Sequence, residues 1–207
     1  MRCLIFVWML LSSLGLCARE VTDLRSYGDE APSTMYLFTS PNCPHCRDFH
    51  KVIFPSLISH FVDKKKAQLV IVDMPFDKAS LHAVMVMRCL PEDKANKMMG
   101  WLYEHQSTWM ESKDPDHIFQ QYAQFLGMYQ SEYQACLENV RLKDAIINQR
   151  DTLSSLYAIR GWPTIALRQG NTVSFYLGTD KRMILSEMDK AIKKFQEEQK
   201  KQAKSRK

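Results

Sequence analysis

Glycine and proline are scarce in this chain, 7 and 8 of 207 residues, and no internal repeat or low-complexity stretch occurs outside a lysine-rich end. These absences exclude a fibre, a disordered tail and a solenoid array. Long apolar runs are missing too: the one candidate, Leu4 to Leu16, is too short to span a bilayer comfortably. There is no second Cys-x-x-Cys pair. His50, His60, His82, His105 and His117 stand at no ligand-like spacing from one another or from an acidic partner, so they read as helix-surface residues. The formal charge of +5 does not describe a basic surface either. Lys193, Lys194, Lys200, Lys201, Lys204, Arg206 and Lys207 face only Glu197 and Glu198 at the end of the chain, which leaves the remainder near neutral. No aromatic residue follows Phe195, so this tail reads as a solvated helix end, and no nucleic-acid partner is expected.

What is present is an ordinary globular composition, 45% hydrophobic and 25% charged. Arg2, the short apolar run, and the small residues Cys17 and Ala18 behind it give residues 1–18 the pattern of a secretory signal. An uncleaved anchor and a lipoprotein modified at Cys17 are the other readings, the second opposed by the bulk of Leu16. Cleavage removes Cys3 and Cys17 and leaves Cys43, Cys46, Cys89 and Cys136, an even set that an exported chain can pair completely.

After a polar leader, Thr34 to Ser40 is an apolar and aromatic run of strand length, closed by Pro41 and Asn42. From Cys43 the period becomes helical through Phe49, Val52, Ile53, Leu57, Ile58 and Phe61, with a kink expected at Pro55. Gln68 to Met74 supplies the next strand, so the chain opens as a parallel β-α-β unit. Residues 76–157 contain no convincing strand. Helical stretches there run through Ala95, Met98, Leu102 and Trp109, then Ile118, Tyr122 and Leu126, then Ile146, Leu153, Leu156 and Tyr157. Ser131 and Gln134 form a candidate capping box for a short helix carrying Cys136. The methionines of this segment, Met85, Met87, Met98, Met99 and Met110, read as core filler before groove lining.

Strand character returns at Thr164 to Arg168 and Thr172 to Leu177, an antiparallel pair joined by Gln169, Gly170 and Asn171. A closing helix with the stripe Ile184, Met188, Ala191, Ile192 and Phe195 starts near Thr179 or Asp180. The expected class is α/β in the order β-α-β, helical insertion, β-β-α. The main domain occupies 19–75 and 158–200, the insertion 76–157, and the basic tail 201–207.

Cys43-Pro44-His45-Cys46 lies where the first strand passes into its helix. Two cysteines three apart in a first helical turn can close a disulfide. Cys43, at the turn, faces free N–H groups and the positive end of the helix dipole, which favour thiolate over thiol. It is therefore the candidate nucleophile, and Cys46, one turn inside, the resolving thiol. His45 can add a hydrogen bond or a positive charge to the thiolate, and Pro44 sits where a missing N–H costs nothing. Because a stabilised thiolate stabilises the reduced state, such a disulfide oxidises other thiols. A metal site using this pair with His45 or His50 is the competing reading, weakened by the missing second ligand pair.

Cys-Pro-His-Cys after a strand, the helical insertion, and Gly161-Trp162-Pro163-Thr164 opening a later strand together resemble the DsbA-like thiol:disulfide oxidoreductases, thioredoxin-fold proteins of the bacterial periplasm. The resemblance runs from about residue 33 to 200. It implies a thioredoxin fold and a cis-proline at Pro163. Its neighbours Trp162 and Thr164 would then bind an extended substrate, with hydrogen bonds to the substrate backbone from Trp162, the residue before the proline. It also implies a structural disulfide between Cys89 and Cys136, with two buried free thiols acting as small apolar side chains as the other reading. The activity implied is donation of the Cys43–Cys46 disulfide to exported, cysteine-containing proteins by a monomer in the periplasm. No cofactor and no metal would be required, and a DsbB-like membrane oxidoreductase would reoxidise the pair. A disulfide isomerase or reductase, and a copper or zinc chaperone, are the alternatives. Two departures from the family pattern stand out: Leu37 occupies the position six before Cys43 where an acidic residue is common, and Trp162 replaces a small or β-branched residue before the proline.

Overall fold

The computed structural model of the protein describes residues 24–178 and 180–205; the expected signal segment 1–18, with Cys3 and Cys17, lies outside them. Five strands form one mixed sheet: β1 (Arg25–Tyr27), β2 (Ser33–Thr39), β3 (Gln68–Asp73), β4 (Thr164–Gln169) and β5 (Thr172–Leu177), in the spatial order β1-β3-β2-β4-β5. Only β2 and β3 run parallel, from Thr34↔Gln68 to Thr39↔Asp73; the other neighbours are antiparallel. The period-2 alternation of the central strands divides the core. Met35, Leu37, Leu69, Ile71, Ile165 and Leu167 point to one face, and Phe38, Val72 and Ala166 to the other.

Helix α1 (Pro44–Val52) follows β2 and buries Cys46 and Phe49 on the first face. As the proline requires, the helix breaks: α1 ends at Val52, a short α2 (Phe54–Leu57) restarts around Pro55, and a π-helical turn, Ile58–Val62, leads to β3. Between β3 and β4 the chain is helical throughout: α3 (Lys78–Cys89), α4 (Glu92–Glu104), α5 (Gln106–Met110), α6 (Pro115–Phe125), α7 (Gln130–Leu137) and α8 (Val140–Leu156). The end of α8 brings Leu153, with Tyr157 just beyond it, under Phe38 and Val72 on the second face. The closing α9 (Lys181–Ser205) lays Ile184, Met188 and Ile192 on the first face, and Asp180 accepts a hydrogen bond from the Met183 N–H at its start.

Four expectations need correction. The polar leader contains β1, whose Arg25 side chain turns inward to Asp73 at 2.7 Å. Helix α3 carries no apolar stripe in sequence because Ala83, Val84, Met85, Val86 and Met87 are all buried among α4, α6, α7 and α8, so no polar face is left to show a period. The cap of α7 is two residues earlier than expected: the Glu132 carboxylate, not Gln134, reaches back to the Tyr129 N–H at 2.7 Å. His50 and His82 are not plain surface residues. His50 lies between Phe54 and Tyr103, with ring centroids 4.7 and 4.8 Å away, and His82 Nδ1 meets Asp116 at 2.8 Å. Of the methionines, Met85, Met87, Met98 and Met99 fill the core and Met110 is exposed.

Cys89, at the end of α3, is bonded to Cys136 on α7, 47 positions further along the chain, with Cα atoms 6.3 Å apart. Holding a loop of this length closed contributes about 4 kcal/mol in the chain-entropy description. The double variant Cys89→Ala/Cys136→Ala is therefore expected to lower the unfolding free energy by roughly 2–4 kcal/mol, read from the urea midpoint at unchanged slope.

Candidate active site

Cys43 occupies the N-cap of α1 in extended backbone (φ −93°, ψ 117°), and Pro44 fills the first helical position. The Cys43 N–H is itself taken by the Ser40 carbonyl at 3.2 Å, which fixes the turn out of β2. Both cysteines are buried, Cys43 at 7% exposure and Cys46 at 1%, so the first sulfur lies nearer the surface. Pro44 and His45 are exposed at the rim.

The loop carrying Cys43 is bolted to the helical segment by side chains that carried almost no signal in sequence. Gln106, buried at the start of α5, donates from Nε2 to the carbonyls of Pro41 (2.7 Å) and Cys43 (3.0 Å). Ser40 donates to Asn42 Oδ1 (2.6 Å), and Asn42 donates to Asp77 (2.6 Å). Asp77 is in turn locked as the cap of α3: it accepts from the Ser80 N–H at 2.7 Å while Ser80 Oγ accepts from the Asp77 N–H at 3.2 Å. The spacing Asp-x-x-Ser was the one readable clue to this brace.

Opposite Cys43 lies the turn into β4. The Trp162–Pro163 peptide bond is cis, and the Trp162 carbonyl oxygen is 3.7 Å from Cys43 Sγ. Thr164 is buried, and its hydroxyl donates to the Gly161 carbonyl at 2.7 Å, so the turn is held from its own strand. Trp162 packs on Phe76, centroids 5.6 Å apart, and Phe76 is 54% exposed, which places an apolar aromatic surface beside the cysteine. Cys43, Cys46, Trp162, Pro163 and Thr164 thus converge at one end of the sheet, whereas Cys89 and Cys136 lie in the helical segment.

Stabilisation of the Cys43 thiolate differs in its weights from the sequence expectation. Its pKa is pulled down to about 6, first by the hydrogen bond from the Cys46 thiol, against a burial effect of opposite sign. The N–H groups of Cys46 and His45 follow, and the charge of His45 comes last. The Cys46 pKa moves up, because its proton is the one shared with Cys43 and because it is buried. Leu37 is a core residue at 2% exposure and supplies no proton. In the reduced protein, alkylation at Cys43 by iodoacetamide is expected to rise through a midpoint near pH 6. An ordinary thiol would titrate near pH 8.5. A midpoint above about 8 would contradict the geometry.

Among the described residues no group of three His, Cys, Asp or Glu side chains is arranged to hold a metal ion.

Comparison with known proteins matches residues 21–194 to a family model described as Thioredoxin. A Rickettsia conorii protein named "putative protein-disulfide oxidoreductase" is 26% identical over 169 residues, covering 81% of this chain. The chain spans 58% of the length of that relative. Among solved structures, Wolbachia pipientis alpha-DsbA1 superposes with a TM-score of 0.76 at 20% identity, over 84% of this chain and 92% of that one. Chlamydia trachomatis DsbA superposes at 0.70 and 17% identity, over 85% and 93% of the two chains.

Proposed function

The chain belongs to the thioredoxin family, and we propose that it is a DsbA-like thiol–disulfide oxidoreductase that introduces disulfide bonds into cysteine-containing exported proteins. The observation that carries the reading is the unequal sulfur pair: Cys43, the less buried of the two, whose thiolate is favoured, backed by a Cys46 whose thiol is favoured instead.

In this reading a substrate thiolate attacks Cys43 of the closed disulfide. The Cys43–Cys46 bond breaks, a Cys43–substrate bond forms, and Cys46 leaves with the electron pair. A second substrate thiolate then attacks the substrate sulfur of the mixed disulfide, so the substrate gains its own disulfide and Cys43 departs as the favoured thiolate. Two electrons and two protons pass from the substrate to the pair, and the exchange consumes no cofactor. Such a leaving group is what makes the reaction run toward oxidation: the lower the pKa of the departing thiol, the faster and further it goes. The Trp162 carbonyl beside Cys43 offers an acceptor for the backbone of an extended substrate, and the Trp162–Phe76 surface suits apolar residues flanking its cysteine. Export to the periplasm, supported by the pattern of residues 1–18, and reoxidation by a DsbB-like membrane partner complete the proposal.

The decisive measurement is the reduction potential of the Cys43–Cys46 couple, by equilibration in glutathione buffers and gel-shift of alkylated thiols. A value near the oxidising end of the scale, about −120 mV, is expected, and one near about −270 mV would make the protein a reductant instead. Metal retained through dialysis at one ion per chain, without peptide oxidation, would replace the enzyme by a metal carrier.

A further inference from the structure

The buried thiol has no carboxylate to supply its proton, since the family's acidic position is Leu37, yet it is not isolated from polar groups. The Thr39 side chain acts on the buried Cys46 thiol in the direction that favours its thiolate, and Thr39 immediately precedes Ser40, whose N–H reaches Cys46 Sγ. Thr39 Oγ1 in turn lies 2.7 Å from the Tyr103 hydroxyl, and Tyr103 Oη is 3.4 Å from the Ser40 carbonyl. Both side chains are almost fully buried, at 4% exposure each. The Ser40 N–H also points at Cys46 Sγ, at 3.5 Å. Tyr103 lines a cleft of about 550 Å³ together with His50, Lys51, Arg47, Asp48, Gly100 and Glu104, on the flank of α1 and α4.

We propose that Thr39 and Tyr103 form a two-hydroxyl relay that stabilises the leaving Cys46 thiolate and delivers its proton from water in this cleft. The proposal deepens the exchange reaction described above and rests on that reading of the Cys43–Cys46 pair.

A hydroxyl carries one proton and can turn it, and this pair has two settings. While the disulfide is closed, Tyr103 donates to the Ser40 carbonyl and Thr39 donates to Tyr103. When Cys46 departs with the electron pair, both rotate: Tyr103 donates to Thr39 and Thr39 donates to the sulfur. Protonation follows along the same line. Cys46 takes the Thr39 proton, Thr39 takes the Tyr103 proton, and cleft water replaces the last, matching the proton that the substrate thiol gave up on becoming a thiolate. Tyr103 does not rest as a phenolate. Burial, with the Cys46 and Asp73 charges adding to it, holds its hydroxyl well above the ordinary range, so it serves as a conduit.

The charged and titratable groups around the relay are few. Cys43 and His50 face it from α1, and Asp73 and Arg25 from β3 and β1. His50 is pushed down to about 4 by burial, with the Arg25 charge adding, and so is neutral above that pH. Asp73 is engaged by Arg25 and Arg88. None of them competes as the proton donor to Cys46.

The test is stopped-flow reduction of the oxidised protein by dithiothreitol from pH 5 to 9, in H₂O and D₂O. Thiols are quenched by alkylation, and wild type is compared with Tyr103→Phe, Thr39→Val and Thr39→Ser. A hydrogen bond to a charged group is lost in Tyr103→Phe and Thr39→Val, so each is expected to react about tenfold more slowly or worse and to lose the solvent isotope effect. Thr39→Ser keeps the hydroxyl and is expected to stay within about threefold of wild type. Tyr103→Phe reacting at the wild-type rate, or Thr39→Ser as slow as Thr39→Val, would overturn the relay. Should Tyr103→Phe fail to fold, the Thr39 pair decides alone. Dithiothreitol reports on the relay without a protein substrate. A wild type that reacts with it but does not oxidise a reduced, unfolded protein sinks the proposed function while leaving the relay result intact.

Discussion

Cys43→Ser is expected to remove thiol–disulfide exchange altogether, a loss on the order of a thousandfold or more, while Cys46→Ser is expected to accumulate mixed disulfides through Cys43. The asymmetry follows from geometry. Cys43 is the sulfur nearer the surface, beside the Trp162 turn, and Cys46 is sealed beneath it at 1% exposure. A serine at 43 leaves only the sealed thiol, which burial alone still keeps from ionising readily. A serine at 46 leaves the reactive sulfur without an internal partner to release a bound substrate. Non-reducing gels of the two variants, each first charged as a mixed disulfide with glutathione and then incubated with a reduced protein whose thiolate displaces the glutathione, separate the outcomes. Equal trapping by both would reverse the assignment of nucleophile and resolving thiol.

Asp73→Ala is expected to be the most destabilising single change outside the site. The Asp73 carboxylate at the end of β3 is 2% exposed and accepts from Arg25 at 2.7 Å and from Arg88 at 3.1 Å. Removing it leaves the Arg25 guanidinium buried without its counter-charge, and breaking a buried pair in this way costs about 3–5 kcal/mol, a large part of ordinary domain stability. Arg25→Met should cost less, because Asp73 keeps Arg88. A pH signature accompanies it. The two guanidinium groups hold the Asp73 carboxyl below its usual range against the effect of burial. Its contribution is therefore complete above the unfolded value of about 4 and is lost as pH falls through the lower folded value. Urea titrations from pH 7 downward are expected to show wild type losing stability below about pH 4, with Asp73→Asn flatter across that window. Parallel curves would place the acid sensitivity elsewhere.

Tyr103 illustrates how unevenly the molecule could be read from its residues. In sequence it is one aromatic in a helical stretch; its meaning comes from Thr39, 64 positions earlier, at 2.7 Å. Gln106 is similar, since a glutamine becomes a brace only when α5 is packed against the Pro41 and Cys43 carbonyls. Arg25 made the leader look polar, although its charge is neutralised by a residue 48 positions on. By contrast, the strands β2 to β5 and the hairpin were legible because alternation and turn residues are local properties. The break at Pro55 was legible because a missing N–H acts within one turn of helix. The short β1 and α3, whose residues 83–87 are all buried, were not, because neither shows a period of its own.

By itself the sequence determined the order of β2 to β5 with the helical insertion between β3 and β4, and the position of Cys43-Pro44-His45-Cys46 at a helix start, since spacing and backbone position decide these within a few residues. Only the tertiary structure decided what surrounds those sulfurs: the cis turn at Trp162–Pro163, the Gln106 and Asp77 braces, and the Thr39–Tyr103 hydroxyls behind Cys46. The physical reason is that hydrogen bonds and burial act over a few ångströms of space, and only the packed sheet and helices bring residues this distant in the chain within that range.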